Sequence, residues 1–254
     1  VPSVETEADQ CTTSQTSRPR ADCEDTLDLR IPAELLELCT QGPPTALGDG
    51  LGHPAPGRLP QPDGAGLLDR PASWGPTTTP AGRFQLVPLR PGKDLGRLVR
   101  WMNDPAVAAF WELSGPESVT AAHVRAQLDG DGRSFPCLGT LDGRPMSYWE
   151  IYRADLDPIS RFYPARPHDT GIHLLIGEAA DRGRGVGTIL LRTVADLILD
   201  HRPRCNRVIA EPDIRNTSSV SAFLGSGFRL AGEVELPNKR CALLIRERAL
   251  RNLL

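Results

Sequence analysis

Seven residues, Arg182-Gly183-Arg184-Gly185-Val186-Gly187-Thr188, constrain this chain more than any other stretch. They lie between Ile172 to Ile176, which reads as a strand, and a run in which Val186, Ile189, Leu190, Val194, Leu197 and Ile198 recur at helical spacing. Three glycines let the backbone turn sharply and approach a ligand closely. The first helical turn then points unpaired N–H groups outward with the positive end of the helix dipole, an arrangement suited to phosphate. A glycine-rich turn without a ligand is the plainer alternative. A P-loop is ruled out, because no Lys followed by Ser or Thr comes directly after the last glycine. A dinucleotide fingerprint would need glycine where Thr188 stands and would open a series of βαβ units, whereas only one further strand-and-helix unit follows here before the closing strands.

The texture of the chain changes at Arg83. Residues 41 to 82 hold nine Pro and nine Gly, which suits a linker or an irregular wrapping segment. Before it, Thr26 to Ile31 alternates as a short strand would, Pro32 can open a helix through Cys39, and residues 1 to 24 read as a disordered tail. We therefore expect a small appendage over 25 to 82, with Trp74 and Leu67-Leu68 apolar enough to dock, and a main domain over 83 to 254. Within that domain Phe84, Leu86 and Pro88 share a strand face. Leu95, Leu98, Val99 and Met102 follow at helical spacing until Asn103-Asp104-Pro105 breaks the helix. Asp142-Gly143 joins Cys137 to Leu141 and Arg144 to Tyr152 as a hairpin. Arg207 to Glu211 reads as a strand, Asn216 to Leu224 as a helix, and Arg229 to Leu236 and Arg240 to Ile245 as closing strands. The fold class expected is α/β (α+β): a mixed central sheet flanked by helices, with an irregular N-terminal extension.

Charge and cysteines exclude several functions. Lys and Arg total 29 against 32 Asp and Glu, so no basic field exists to hold nucleic acid by counterion release. The most apolar stretch, Ile189 to Leu199, is interrupted by Arg192 and Asp196, and no membrane span is expected. The acidic start of the chain lacks the basic and apolar regions of a secretory signal, which points to the cytoplasm. The six cysteines form no C-x-x-C pair, so no metal site and no dithiol motif is expected.

Arg182, Gly185 and Gly187 fill, in register, the pyrophosphate-turn pattern of the GNAT superfamily of acyl-CoA-dependent acyltransferases. Asn216, Ser219 and Gly227-Phe228 resemble its second signature. The resemblance implies a GNAT fold and an acyl-CoA cosubstrate. In register with the family, Arg182, Gly183, Arg184, Gly185, Val186, Gly187 and Thr188 would hold the diphosphate. Leu174, Leu175 and Ile176 would pair with the pantetheine amides, with a backbone N–H near Leu175 meeting the thioester oxygen, and Asn216, Ser219 and Phe223 would line the pantetheine. Phe223 stands where the family often has the Tyr that protonates the leaving thiolate, so that general acid is excluded. Ser219 or Ser221 could donate the proton instead, though capping or burial is a plainer use of either.

Trp101-Met102-Asn103-Asp104-Pro105, Phe110-Trp111, Tyr148 to Tyr152, Asp169 to Gly177, Glu211-Pro212-Asp213 and Leu236 to Lys239 are similar to the siderophore-pathway branch. Its members acylate the side-chain nitrogen of lysine, ornithine, their N-hydroxy derivatives or related diamines. The aminoglycoside 6'-N-acetyltransferases share part of this layout and are the alternative, as is a non-catalytic acyl-CoA-binding module. The branch implies a catalytic pair of His173, taking the acceptor proton, and Asp213, orienting it or binding the acceptor nitrogen. Trp111, Tyr148, Trp149, Tyr152 and Tyr163 are candidates for an aromatic acceptor tunnel, although aromatics at strand spacing serve equally as core. Glu150, a carboxylate in mid-strand, calls for a partner, and a substrate ammonium is one candidate. The partners expected are thus an acyl-CoA, acetyl by default, and a small amine or hydroxylamine.

Overall fold

A computed structural model describes Leu68 and residues 70–252. The expected tail, the short strand at Thr26, the helix at Pro32 and the linker up to residue 67 lie outside the described residues. The sheet has eight strands in the order β1 (Thr77–Thr79), β2 (Gly82–Pro88), β3 (Ser134–Leu141), β4 (Arg144–Arg153), β5 (Thr170–Ile176), β6 (Arg207–Ala210), β8 (Arg240–Glu247), β7 (Arg229–Glu235). The helices are α1 (Pro91–Met102), α2 (Pro105–Trp111), α3 (Glu117–Leu128), α4 (Val186–His201) and α5 (Thr217–Gly225). No helix among the described residues is long and apolar enough to cross a membrane.

Structure begins ahead of the texture change at Arg83. Strand β1 pairs with β2, Leu68 is buried in the main core, and the Trp74 ring stacks on His201 at 5.3 Å. The hairpin between β3 and β4 turns where the sequence places it, with φ of 50° at Asp142 and 78° at Gly143, the paired positive values of a type I′ turn. Strand alternation then divides the core between the two sheet faces. Trp149, Ile151 and Ile172 pack with Leu190, Val194 and Ile198 of α4 on one face. Tyr148 and Leu175 pack with Leu98, Trp101, Val107 and Val124 of α1 to α3 on the other.

All neighbouring strands run antiparallel except β5 and β6, and that pair positions the site. Their ladder contains only Thr170↔Val208 and Gly171↔Ile209, while on its other side β5 pairs with β4 from Thr170 to Ile176. Strands β5 and β6 therefore separate after Gly171. They are pinned at the closed end by Asp169 and Arg207, fully or nearly buried, with Nε donating to Oδ1 at 3.0 Å. Tyr163 adds a hydroxyl to the same carboxylate at 3.1 Å.

Removing one partner of a buried pair strands the other charge away from water, at a typical cost of about 3–5 kcal/mol. Asp169→Ala should lose about that much stability in urea titration, with the damage centred on the junction of β5 and β6.

Candidate active site

The opening between β5 and β6 leads into a cleft of about 410 Å³. Its floor follows from register. Glu150 lies directly opposite His173, so both side chains leave the sheet on the same face, and His173 Nδ1 meets Glu150 Oε2 at 2.9 Å. Two residues back, Tyr152 lies opposite Gly171. A Cβ there would sit 2.0 Å from the Tyr152 ring, so only glycine lets that ring lie across β5. The phenol thereby reaches Glu211, just past the end of β6, donating to Oε2 at 2.7 Å. Glu211 Oε1 meets His173 Nε2 at 2.5 Å.

Both ring nitrogens of His173 thus face carboxylates, which only an imidazolium can satisfy by donating twice. Burial works against its charge, but Glu211 and Glu150 outweigh that and hold the group up at about 10, although 36% of the side chain remains exposed. Burial would likewise raise both carboxylates, yet each lies below its ordinary range. Glu150 Oε1 collects His123 Nε2 at 2.6 Å, Gln127 Nε2 at 2.6 Å and the Tyr148 hydroxyl at 2.9 Å, in addition to the bond from His173 to Oε2. Glu211 is held by His173, the nearby Lys239 ammonium and Tyr152.

The expected pairing of His173 with Asp213 is not the one the fold makes. Asp213 lines the same cleft, but Arg215 occupies its carboxylate through the backbone N–H at 2.8 Å and Nη2 at 2.6 Å, and this cation keeps the acid's pKa low. Register explains the exchange, because Glu211 is the residue that β6 delivers beside His173. Glu150 already has protein partners and does not wait for a ligand to neutralise it. Of the candidate tunnel aromatics, Trp111 lines the cleft, with its ring edge-on to His173 at 6.1 Å. Tyr148 and Tyr152 stand behind the two carboxylates, Trp149 donates to Ser147 Oγ on the opposite face, and Tyr163 is part of the Asp169 cluster.

The glycine turn has the shape its sequence implies. Gly183 and Gly185 take φ of 71° and 75°, and α4 starts at Val186 with no capping side chain. At Gly187 a Cβ would meet nothing closer than Ile176 at 4.0 Å, so packing within the protein does not require the glycine. A close-lying ligand would. Val186 and Thr188 sit in that first turn, and Leu174 and Ile176 are half-exposed along the open edge of β5, with Leu175 buried on the other face. Arg184 is exposed, whereas the Arg182 guanidinium is turned inward. Its Nε donates to the Ile176 carbonyl at 3.0 Å, and Nη1 and Nη2 each reach Asp104 at 3.1 Å. Asn216 Oδ1 caps α5 by accepting from the Ser219 N–H at 3.1 Å, and Phe223 packs edge-on against Phe228 while lining the cleft with Ser219.

His123 and the central place of Glu211 are the site features that sequence reasoning missed. His123 lies on α3, which the apolar pattern did not announce. Glu211 stood only as part of the Glu211-Pro212-Asp213 motif, although its position two residues before Asp213 and one past β6 was a usable signal.

The family model described as "Acetyltransferase (GNAT) domain" matches residues 90–236. Lysine N-acyltransferase MbtK of Mycobacterium tuberculosis strain H37Rv is 35% identical over 203 residues, covering 79% of this chain and 94% of that protein. N(6)-hydroxylysine O-acetyltransferase of Escherichia coli is 39% identical over 158 residues, 62% of this chain and 50% of that protein. Among solved structures, aminoglycoside acetyltransferase AAC(6')-Ib in complex with coenzyme A superposes with a TM-score of 0.59, covering 67% of this chain and 96% of that one. At 22% identity this is a likeness of fold. The chain belongs to the GNAT acetyltransferase family and is an acyl-CoA-dependent acyltransferase.

Proposed function

We propose that this enzyme transfers an acyl group, acetyl in the simplest case, to the side-chain amine or N-hydroxyamine of a lysine, ornithine or diamine acceptor during assembly of a hydroxamate siderophore. The observation that carries the reading is a carboxylate–imidazolium–carboxylate row at the floor of the cleft, a short distance along β5 from a glycine turn shaped for a diphosphate. One relative is named a lysine N-acyltransferase and another an N(6)-hydroxylysine O-acetyltransferase, which supports a lysine-type or hydroxylysine-type acceptor here.

The two carboxylates change the role expected of His173. An imidazolium has no lone pair with which to act as a base. A neutral acceptor nitrogen attacks the thioester carbonyl, and Glu211 takes the N–H proton of the adduct. His173 gives its proton to the departing thiolate, and the proton on Glu211 returns to His173 across their 2.5 Å bond. Nitrogen gains the acyl group, sulfur gains the proton, and the row ends in its starting state. This supplies the acid that Phe223 cannot. An ammonium acceptor must first lose a proton to solvent. Asp213, which lines the cleft, is assigned to holding the acceptor, and backbone amides of the diverging β5 to polarising the thioester.

With acetyl-CoA and a panel of lysine, N-hydroxylysine, N-hydroxyornithine and N-hydroxyputrescine, His173→Gln and Glu211→Gln should each lower kcat about 100-fold or more, while calorimetry shows CoA affinity retained. Asp213→Asn should raise the acceptor KM more than it lowers kcat. Loss of less than tenfold for both His173→Gln and Glu211→Gln would remove the row from the chemistry.

Protonation also sets pH dependence. A histidine held at about 10 contributes its full stabilisation below its ordinary value near 6.5 and loses it as the pH rises toward 10. The depressed Glu150 and Glu211 contribute above their ordinary range and lose that contribution in acid. Tm should therefore be highest between about pH 4.5 and 6.5 and fall toward pH 10. His173→Gln should flatten the alkaline decline, and the His173 ring resonances should not titrate between about pH 6 and 8.

A further inference from the structure

Arg182, the first residue of the glycine-turn signature, does not direct its side chain into the turn. It spans from there to the corner between α1 and α2, where the two terminal guanidinium nitrogens meet Asp104 at 3.1 Å as a two-point pair about a quarter exposed on each side. Asp104 is also the N-cap of α2, accepting from the Ala106 N–H at 2.9 Å. The same corner is attached to the end of β5 twice more. Trp101 Nε1 donates to Glu178 at 2.9 Å, and the Trp101 ring lies on Gly177, where a Cβ would come within 2.0 Å of it. The far end of α2 carries Phe110 and Trp111 into the cleft, with Trp111 beside His173.

We propose that the Asp104–Arg182 pair couples the two halves of the site: a diphosphate seated in the glycine turn sets the position of α2, and with it the acceptor wall at Trp111. The inference rests on the reading that the turn holds the diphosphate of CoA. Helix α2 and the turn that opens α4 have no covalent link shorter than the chain from 111 to 182, so they move together only through contacts such as this pair. A bidentate guanidinium–carboxylate pair fixes both distance and plane, which a lysine cannot do. Thermodynamic linkage makes the effect mutual, so an acceptor against Trp111 tightens CoA by the factor with which CoA tightens the acceptor. Asp104 and Arg182 are in this account positioning residues.

Asp104→Asn separates the coupling from the cap, because asparagine caps a helix as well as aspartate does while losing the ionic pair. Hydrogen exchange is followed in peptides covering 183–190 and 105–113, with and without saturating CoA. In the unmodified protein CoA should slow exchange at least about fivefold in both segments. In Asp104→Asn and in Arg182→Lys the protection at 183–190 should persist and that at 105–113 should vanish. For Asp104→Asn, steady-state kinetics should then show a severalfold higher acceptor KM, and calorimetry a CoA dissociation constant nearly unchanged. Protection of 105–113 that survives in both variants, or that is absent in the unmodified protein while 183–190 is protected, overturns the coupling. Absence of protection in both segments of the unmodified protein overturns instead the assignment of CoA to the turn.

Discussion

The parallel pairing of β5 and β6 breaks off after two residue pairs, and the remaining features of the site depend on that divergence. A parallel ladder that continued would close the sheet over His173 and leave no room for a second substrate. The buried Asp169–Arg207 pair holds the strands together at one end, so the gap opens in one direction only, toward the end of β5 and the glycine turn. Backbone groups along the parted edge of β5 are left facing a cleft where a ligand with amide groups can take the place of a strand.

Ionisation at the floor of the cleft is a balance of large opposing effects. Two carboxylates in a buried setting would ordinarily rise in pKa, and one of them would take up a proton. Here an imidazolium stands between them, and Glu150 receives further donors from His123, Gln127 and Tyr148 while Glu211 receives Tyr152 and lies near Lys239. Charge attraction between His173 and its carboxylates, together with hydrogen bonds to the ionised forms, outweighs desolvation, and all three groups stay charged. The outcome is a row of three charged groups, in a chain that has Phe223 where its family often keeps a tyrosine.

Much of the fold was legible because its signals are local. Asp142-Gly143 announces a hairpin since few residue pairs accept positive φ at both positions, and the stripe from Val186 to Ile198 announces α4 since one whole face is buried. Helix α3 was not legible. Its buried residues are Thr120 and Val124, too few to make a stripe, and it forms because it lies against β3 and α1. His123 was hidden with it. Helix α2, seven residues long, likewise depends on the Asp104 cap and on packing at Val107 more than on any period.

By itself the amino-acid order determined which residues share a sheet face, where the chain turns, and that the segment from 182 to 188 must present bare amides at a helix start, since each of these follows from backbone sterics within a few residues. Tertiary structure alone decided which acid meets His173. Asp213 and Glu211 are two residues apart and chemically similar, and the register of β6 against β5 brings Glu211 to the ring while Arg215 draws Asp213 aside. The direction of Arg182 was decided in the same way, by an aspartate 78 positions earlier that only folding brings within reach.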